Sequence, residues 1–392
     1  MALSSYFDFA ENDFQYFKAS YDAGIVANMM GAMAQGIAIR KTEAKRMLRT
    51  EKEKILVKVP CREEVRRKFY QRFGEKCEFV FTEDYSGDVA ECKTLKSREE
   101  FLQNCLRDAE VIIGEPDEAE LQQAENLKWL QITWAGADKY TKMQNIRRDF
   151  VLTNASGAFG IVISEYVIGS IIALYRSFPA YQKKQRNHVW EKGNSVDTLF
   201  GKKVLILGTG DIGKNVAARL RPFGVHITGV KRNVAGIKGK TDKECKEYFD
   251  EIFSIDELDR ILPNMDIVTG CLPGTKETAG LFNEARLRTM KKDAVLINVG
   301  RGSLIVNDDL VRILSAGHLK GAVLDVSETE PLAEESPLWD MENVILTPHI
   351  AGPSFGGDRM TENLIWDICI QNLERFLEGK ELCHRVNLEA GY

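Results

Sequence analysis

The sequence predicts an α/β protein made of two doubly wound parallel-sheet domains, and three observations predict it. The chain has 392 residues, too many for one ordinary core and suited to two domains of about 150–200 residues. Short apolar runs alternate with helical patterns from residue 53 to near 350, which is the rhythm of βαβ units and therefore of parallel sheets. A glycine-rich turn at 208–213 joins an apolar run to a helical pattern, at the start of a second series of such units.

Residues 1–50 read as an extension, either an N-terminal arm or a segment preceding a natural start at Met47. Their first part carries acids and no basic region, so no secretory signal is expected. Residues 23–39 are uncharged, but the run is short, rich in Gly and Ala, and holds Asn28 and Gln35, so no membrane segment is expected there either. The first series of strands is ILVKV at 55–59, FVFTE at 79–83, VIIG at 111–114, LQITW at 130–134 and VLTN at 151–154. Helical patterns such as REEVRRKFYQRFG and REEFLQNCLRD lie between them. The segment Ile161–Tyr175 is apolar on nearly every face, which predicts burial in a core or against another subunit, the core being the simpler reading.

The second series is VLIL at 204–207, HITGV at 226–230, IVTGC at 267–271, VLINV at 295–299, AVLDV at 322–326 and VILT at 344–347. These six candidates suffice for a complete doubly wound dinucleotide fold. A long helix follows over Thr361–Leu377, with Gly379 as its stop. The boundaries expected are 51–157 with 355–392 for one domain and 158–354 for the other.

Composition narrows the function. The net charge of −5, with no Lys/Arg stripe, gives no reason to expect nucleic acid as a partner. Eight cysteines are spaced at 13 residues or more, so neither CxxC pairs nor zinc-ligand spacing occur, and no metal is expected. Reduced thiols in a chain this long point to a cytoplasmic protein.

The glycine turn KKVLILGTGDIGKNVAARL supplies the first chemistry. Gly208 permits the tight turn, Gly210 lets a pyrophosphate approach the backbone, and Gly213 lets the helix pack on the strand. The helix N-terminus then offers free N–H groups to phosphate. At the end of the next strand stand Lys231 and Arg232 rather than a carboxylate. A carboxylate there would accept from ribose hydroxyls and repel a 2′-phosphate, so the basic pair favours NADP over NAD.

Arg301, Glu330 and His349 each follow a later strand candidate, where residues line the ligand crevice of an open parallel sheet. Taken singly, each has an ordinary explanation: a surface arginine, a loop acid, a structural histidine. Their joint placement is what argues for a site.

The stretches GTGDIG, CLPGTKETAGLFN, LINVGRGSLI, LDVSETEPL and TPHIAG, from about residue 55 to the C-terminus, resemble the D-isomer-specific 2-hydroxyacid dehydrogenases. WLQITWAGADKY and SGAFGIVISEYVIG resemble the glyoxylate/hydroxypyruvate reductase branch. The resemblance implies a Rossmann nucleotide domain inserted in a flavodoxin-like substrate domain, a homodimer, and a small 2-oxo acid as substrate. It implies that His349 is the proton donor, Glu330 its orienting partner and Arg301 the substrate clamp. It adds Ala135 and Gly136 as backbone donors to the substrate carboxylate. Trp134 stands where many members have Gly and would narrow the pocket, unless it packs between domains. Cofactor contacts carried over are Asp211 and Ile212 at the turn, Thr269, Leu272, the backbone of Val299 and Gly300, and Asp325 for the nicotinamide carboxamide. Two rivals share the scaffold. Formate dehydrogenases replace the glutamate partner by an amide, whereas Glu330 is present. A non-catalytic dinucleotide-sensing protein could keep the whole triad.

Overall fold

The computed structural model describes residues 51–85, 98–193, 195–232 and 247–388. The expectations for residues 1–50, with Met47 and the run 23–39, fall outside them. Two parallel sheets organise the chain. The first holds β1 (Glu53–Val57), β2 (Cys77–Phe81), β3 (Val111–Ile113), β4 (Trp129–Gln131) and β5 (Val151–Thr153) in the order β2-β1-β3-β4-β5. That is the flavodoxin-like order. The second holds β6 (Lys203–Leu207), β7 (His226–Lys231), β8 (Glu251–Ser254), β9 (Ile267–Gly270), β10 (Val295–Asn298), β11 (Gly321–Leu324) and β12 (Val344–Leu346). Their order is β12-β11-β10-β9-β6-β7-β8.

Eleven of these strands fall on the apolar runs that predict them. The twelfth, β8, does not, and makes seven strands where six were expected. It is an edge strand with a single neighbour, β7, and none of its four residues is buried. Only Ile252 and Phe253 are apolar, so no buried run marks it.

By contacts the chain forms two compact units. One comprises the described residues up to Gln131, with Ile146–Val151 and Cys369–Cys383; the other comprises Ile132–Asn145, Leu152–Ile368 and the described residues from His384. In the first, Val65, Phe69 and Phe73 recur at helical spacing along the Glu63–Phe73 helix and are buried. Phe376 packs on Trp129, ring centroids 5.4 Å apart. Buried Asn372 is satisfied by Gln131 Oε1 and by the Cys383 backbone.

In the second unit, Leu205, Val268, Leu296 and Ala322 stand in one registered row across β6, β9, β10 and β11. They share a core with Leu310, Ile313 and Leu314, the apolar stripe of the Asn307–Ser315 helix. Each such leucine contributes roughly 1.5–3 kcal/mol through burial. Asp308 and Asp309 in that helix's first turn complement its dipole. The Gly160–Tyr175 helix is buried along one stripe only, through Ile163, Ser164, Val167, Ile171, Leu174 and Tyr175. Ile161, Val162, Ile168 and Ile172, on its other side, are half-buried. The core reading of this segment therefore holds for one face, and the other lies open within the chain.

Register fixes where function can sit. Leu207, Gly270, Asn298, Leu324 and Leu346 are consecutive partners at the carboxyl ends of β6, β9, β10, β11 and β12. The loops after these strands thus leave from one edge of the sheet. The six described cysteines are free thiols, and no single helix among the described residues is long and apolar enough to cross a membrane.

Candidate active site

The first loop on that edge is the glycine turn. Gly208 has φ 101°, and its N–H donates to the Val230 carbonyl at 2.8 Å. A Cβ on Gly213 would lie 1.9 Å from the Gly208 oxygen, so only glycine fits there. A Cβ on Gly210 would meet nothing within 4 Å. That open space, at the start of the Asp211–Leu220 helix, fits a pyrophosphate: there is room, and the first-turn amides of Asp211 and Ile212 lack partners within the helix.

The other cofactor candidates are less alike than the sequence implies. The Asp211 side chain turns toward the backbone amides of Gly157 and Gly160 and toward Asn215 Nδ2, 3.0 Å away. Burial there pushes its carboxyl above the usual range. Lys231 ends β7, and Arg232 follows it, exposed. Glu277, whose carboxyl is lowered first by the Thr275 hydroxyl, also feels the Arg232 charge. Thr269 is fully buried in β9 and its hydroxyl has no hydrogen-bond partner. Leu272 is half-buried, Val299 is buried, and the Gly300 N–H donates to Asn298 Oδ1 at 3.1 Å.

Arg301 follows β10 and is held on two sides. Its Nε donates to Asp138 Oδ2 at 2.6 Å and its Nη1 to the Gly300 carbonyl at 2.8 Å. Asn298 Nδ2 binds the Arg301 carbonyl at 2.9 Å. The third guanidinium nitrogen lies against Gly136, where a Cβ would stand 1.2 Å from Nη2. The loop that carries Gly136 is pinned in turn: Asn154 Nδ2 donates to the Ala135 carbonyl at 2.7 Å, and the Ala155 N–H to that of Trp134 at 2.9 Å. Trp134 leaves 42% of its surface exposed.

Glu330 and His349 meet. His349 Nδ1 and Glu330 Oε2 are 2.9 Å apart, and Glu330 Oε1 accepts the Ser327 N–H at 3.1 Å. His349 itself has φ 56°, a costly conformation for a side chain with a Cβ. It is held there by its N–H, which donates to the Asp325 carbonyl at 2.7 Å. The buried Asp325 carboxylate accepts from the amides of Ile350 at 2.8 Å and Ala351 at 3.0 Å, and from the Thr347 hydroxyl at 2.7 Å. The Thr347 hydroxyl is also 2.6 Å from that of Tyr166. So a carboxylate-bound imidazole with its second nitrogen unused by Glu330 shares one compact unit with a fixed guanidinium fork. Such a set can hold a carboxylate and move a proton.

Residues 168–351 match the NAD binding domain of the D-isomer specific 2-hydroxyacid dehydrogenases. Over 308 residues the chain is 33% identical to the glyoxylate reductase of Thermofilum pendens, an alignment spanning 75% of this chain and 86% of that protein. The chain belongs to the D-isomer specific 2-hydroxyacid dehydrogenase family. A solved family member from Aeromonas salmonicida subsp. salmonicida A449 is 30% identical, with a TM-score of 0.71, over 86% of this chain and all of that one. The NADPH-dependent glyoxylate/hydroxypyruvate reductase of Sinorhizobium meliloti, solved with NADP and sulfate, is 25% identical with a TM-score of 0.68, over 87% of this chain and all of that one.

The dehydrogenase is therefore an NAD(P)-dependent enzyme with a dinucleotide-binding domain, acting on a small organic acid. Three residues that sequence reasoning missed belong to its constellation: Asp138, Thr347 and Tyr166. Asp138 lies within the AGAD turn, and an acid two residues from a glycine meant to face an anion was the available signal. Thr347 and Tyr166 carry no signal of that kind.

Proposed function

We propose that this dehydrogenase reduces a small 2-oxo acid of the glyoxylate or hydroxypyruvate type to the D-2-hydroxy acid, with NADPH as the preferred reductant. The observation that carries the reading is the His349–Glu330 pair at 2.9 Å, in the same compact unit as an Arg301 fork set against Gly136. The names of the Thermofilum and Sinorhizobium relatives support the substrate class, and the Lys231–Arg232 pair supports NADPH.

Arg301 binds the substrate carboxylate through the edge of its fork left free by Asp138, together with the backbone of Ala135 and Gly136. The same guanidinium polarises the 2-oxo group. A reduced nicotinamide, when bound, supplies the hydride. Glu330 accepts from His349 Nδ1–H, fixing the ring so that Nε2 carries the proton delivered to the carbonyl oxygen. Asp325, spent on the 347–351 turn, sets where that ring stands. Gly208, Gly210 and Gly213 form the phosphate cradle. The open side of the Gly160–Tyr175 helix, with Phe178 half exposed beside it, fits the face that a second copy of the chain would cover in a homodimer.

The test is NADPH oxidation with glyoxylate, hydroxypyruvate, pyruvate and phenylpyruvate, followed by loss of the reduced nicotinamide absorbance. Turnover is expected with the small acids. His349→Gln is expected to lose about 10²–10⁴-fold in kcat while still binding NADPH. Full turnover by that variant removes His349 from the proton transfer. A preference for NADH of about tenfold or more, worth about 1.4 kcal/mol, removes the role given to Lys231 and Arg232.

A further inference from the structure

We infer that Asp138 is a positioning residue for Arg301 and that its charge selects 2-oxo acids bearing a single negative charge. The inference rests on the 2-oxo acid reading above. A guanidinium has five N–H donors in a planar fork. Here Nε–H is taken by Asp138 Oδ2 at 2.6 Å and one Nη1–H by the Gly300 carbonyl at 2.8 Å. Three donors remain, one on Nη1 and two on Nη2, and Nη2 occupies the space that any side chain at position 136 would need. Asp138 is itself confined, since a Cβ on Gly274 would come within 2.9 Å of its Oδ1 and within 3.2 Å of Arg301 Cγ. The Asp138 side chain is only 20% exposed and that of Arg301 29%, so water screens the pair incompletely.

Two consequences follow from this arrangement. First, the fork is fixed in its plane before substrate arrives, because the Nε bond stops rotation of the guanidinium about its long axis. Second, the positive charge meant for the substrate already has a negative partner. One incoming carboxylate still finds two outer N–H groups and a favourable dipole. A second carboxylate or a phosphate on the same substrate meets the Asp138 charge. Fixed repulsion of this kind discriminates between ligands that share the same favourable contacts.

The experiment compares kcat/KM for glyoxylate and for oxaloacetate, with NADPH saturating, in the wild type, Asp138→Asn and Asp138→Ala. The wild type is expected to favour glyoxylate. Asn keeps an acceptor for Nε–H and removes the charge, so the oxaloacetate-to-glyoxylate ratio is expected to rise about tenfold, as removal of one partly screened unit charge implies. Ala removes charge and acceptor together, and KM for glyoxylate is expected to rise about 10–100-fold with a smaller change in kcat, the range for losing a charge-assisted hydrogen bond. NADPH affinity and thermal midpoint are expected to stay near wild type, which separates these effects from misfolding. A wild type that prefers oxaloacetate overturns the charge selection without any variant. An unchanged ratio in Asp138→Asn together with an unchanged KM in Asp138→Ala overturns the positioning role. A wild type that reduces no 2-oxo acid at all removes the proposed function itself, and this inference with it.

Discussion

Arg301 and His349, the two groups at the centre of the proposed reaction, are restrained in opposite ways. Arg301 is held by its side chain, with Nε on Asp138 and Nη1 on the Gly300 carbonyl, and only 29% of it is exposed. His349 leaves 51% of its side chain open and has one side-chain partner, Glu330. Its restraint lies in the backbone, where a φ of 56° is kept in place by Asp325 and the turn around it. The difference matches the two tasks proposed for them. A group that binds an anion needs its donors aimed, and a side-chain lock does that. A group that passes a proton needs one nitrogen uncovered, so the lock has to sit beneath it. Carboxylates carry both arrangements: half-buried Asp138 from the side, buried Asp325 from below.

If the lock beneath His349 is Asp325, its loss should have the largest effect. Asp325→Ala leaves the amides of Ile350 and Ala351 and the Thr347 hydroxyl without their acceptor, at a cost of roughly 1–3 kcal/mol for each group that stays buried. We expect kcat to fall about 100-fold, with a marked drop in thermal midpoint; each 1.4 kcal/mol by which the turn shifts the reacting geometry is about tenfold in rate. KM for the 2-oxo acid, set by Arg301, should move much less. If Asp325→Ala raises that KM as strongly as it lowers kcat, the two halves of the site are not separately restrained and the comparison fails.

This division also marks what could be read from the sequence. The chain order of strands and of Arg301, Glu330 and His349 was legible because each sits just after an apolar run, and a parallel sheet sends those positions to one edge. The glycine turn was legible because sterics leave no alternative to glycine at 213. What the sequence did not display is how a side chain is held. Asp138 is 163 residues from Arg301, and Asp325 is 25 from the Ile350 amide it accepts. Neither separation has a period or a spacing rule behind it. The half-open face of the Gly160–Tyr175 helix was illegible for a related reason: a helix apolar all round does not say which face this chain covers. Strand β8 escaped because an edge strand has too little buried surface to leave a pattern.

A smaller effect is expected one bond further from the reacting ring. The Thr347 hydroxyl donates to Asp325 and bonds the Tyr166 hydroxyl, so Thr347→Val breaks the link while keeping the side-chain volume. Burial already pushes the Tyr166 hydroxyl above the usual phenol range, and removing its partner leaves it in that setting with fewer bonds. We expect a loss of about 1 kcal/mol in stability, the net worth of a typical hydrogen bond, and a fall of about 3–10-fold in kcat. Denaturant unfolding and steady-state rates measure the two. A loss in stability with no change in kcat would confine Thr347 to holding the helix, and would show that Asp325 keeps the His349 turn in place without it.

The smallest effect should come from Asp211, which tests whether a half-buried carboxylate that accepts amides is always a lock. The dominant influence on Asp211 is burial, which pushes its pKa up; the bonds from Gly160, Asn215 and Gly157 and the charge of His384 only partly oppose this. A raised pKa means that the folded chain binds a proton which the unfolded chain has already released, over the interval between the ordinary carboxylate value and the raised one. Stability from this group is therefore full below that interval and is lost as pH rises through it. Asp211→Asn has no such titration. Thermal midpoints of both proteins from mildly acidic to neutral pH should show the wild type losing stability relative to the variant as pH increases. The His384 ring, whose pKa burial lowers, faces the same carboxyl. A wild type that instead gains on the variant as pH rises would make Asp211 a carboxylate the fold needs charged.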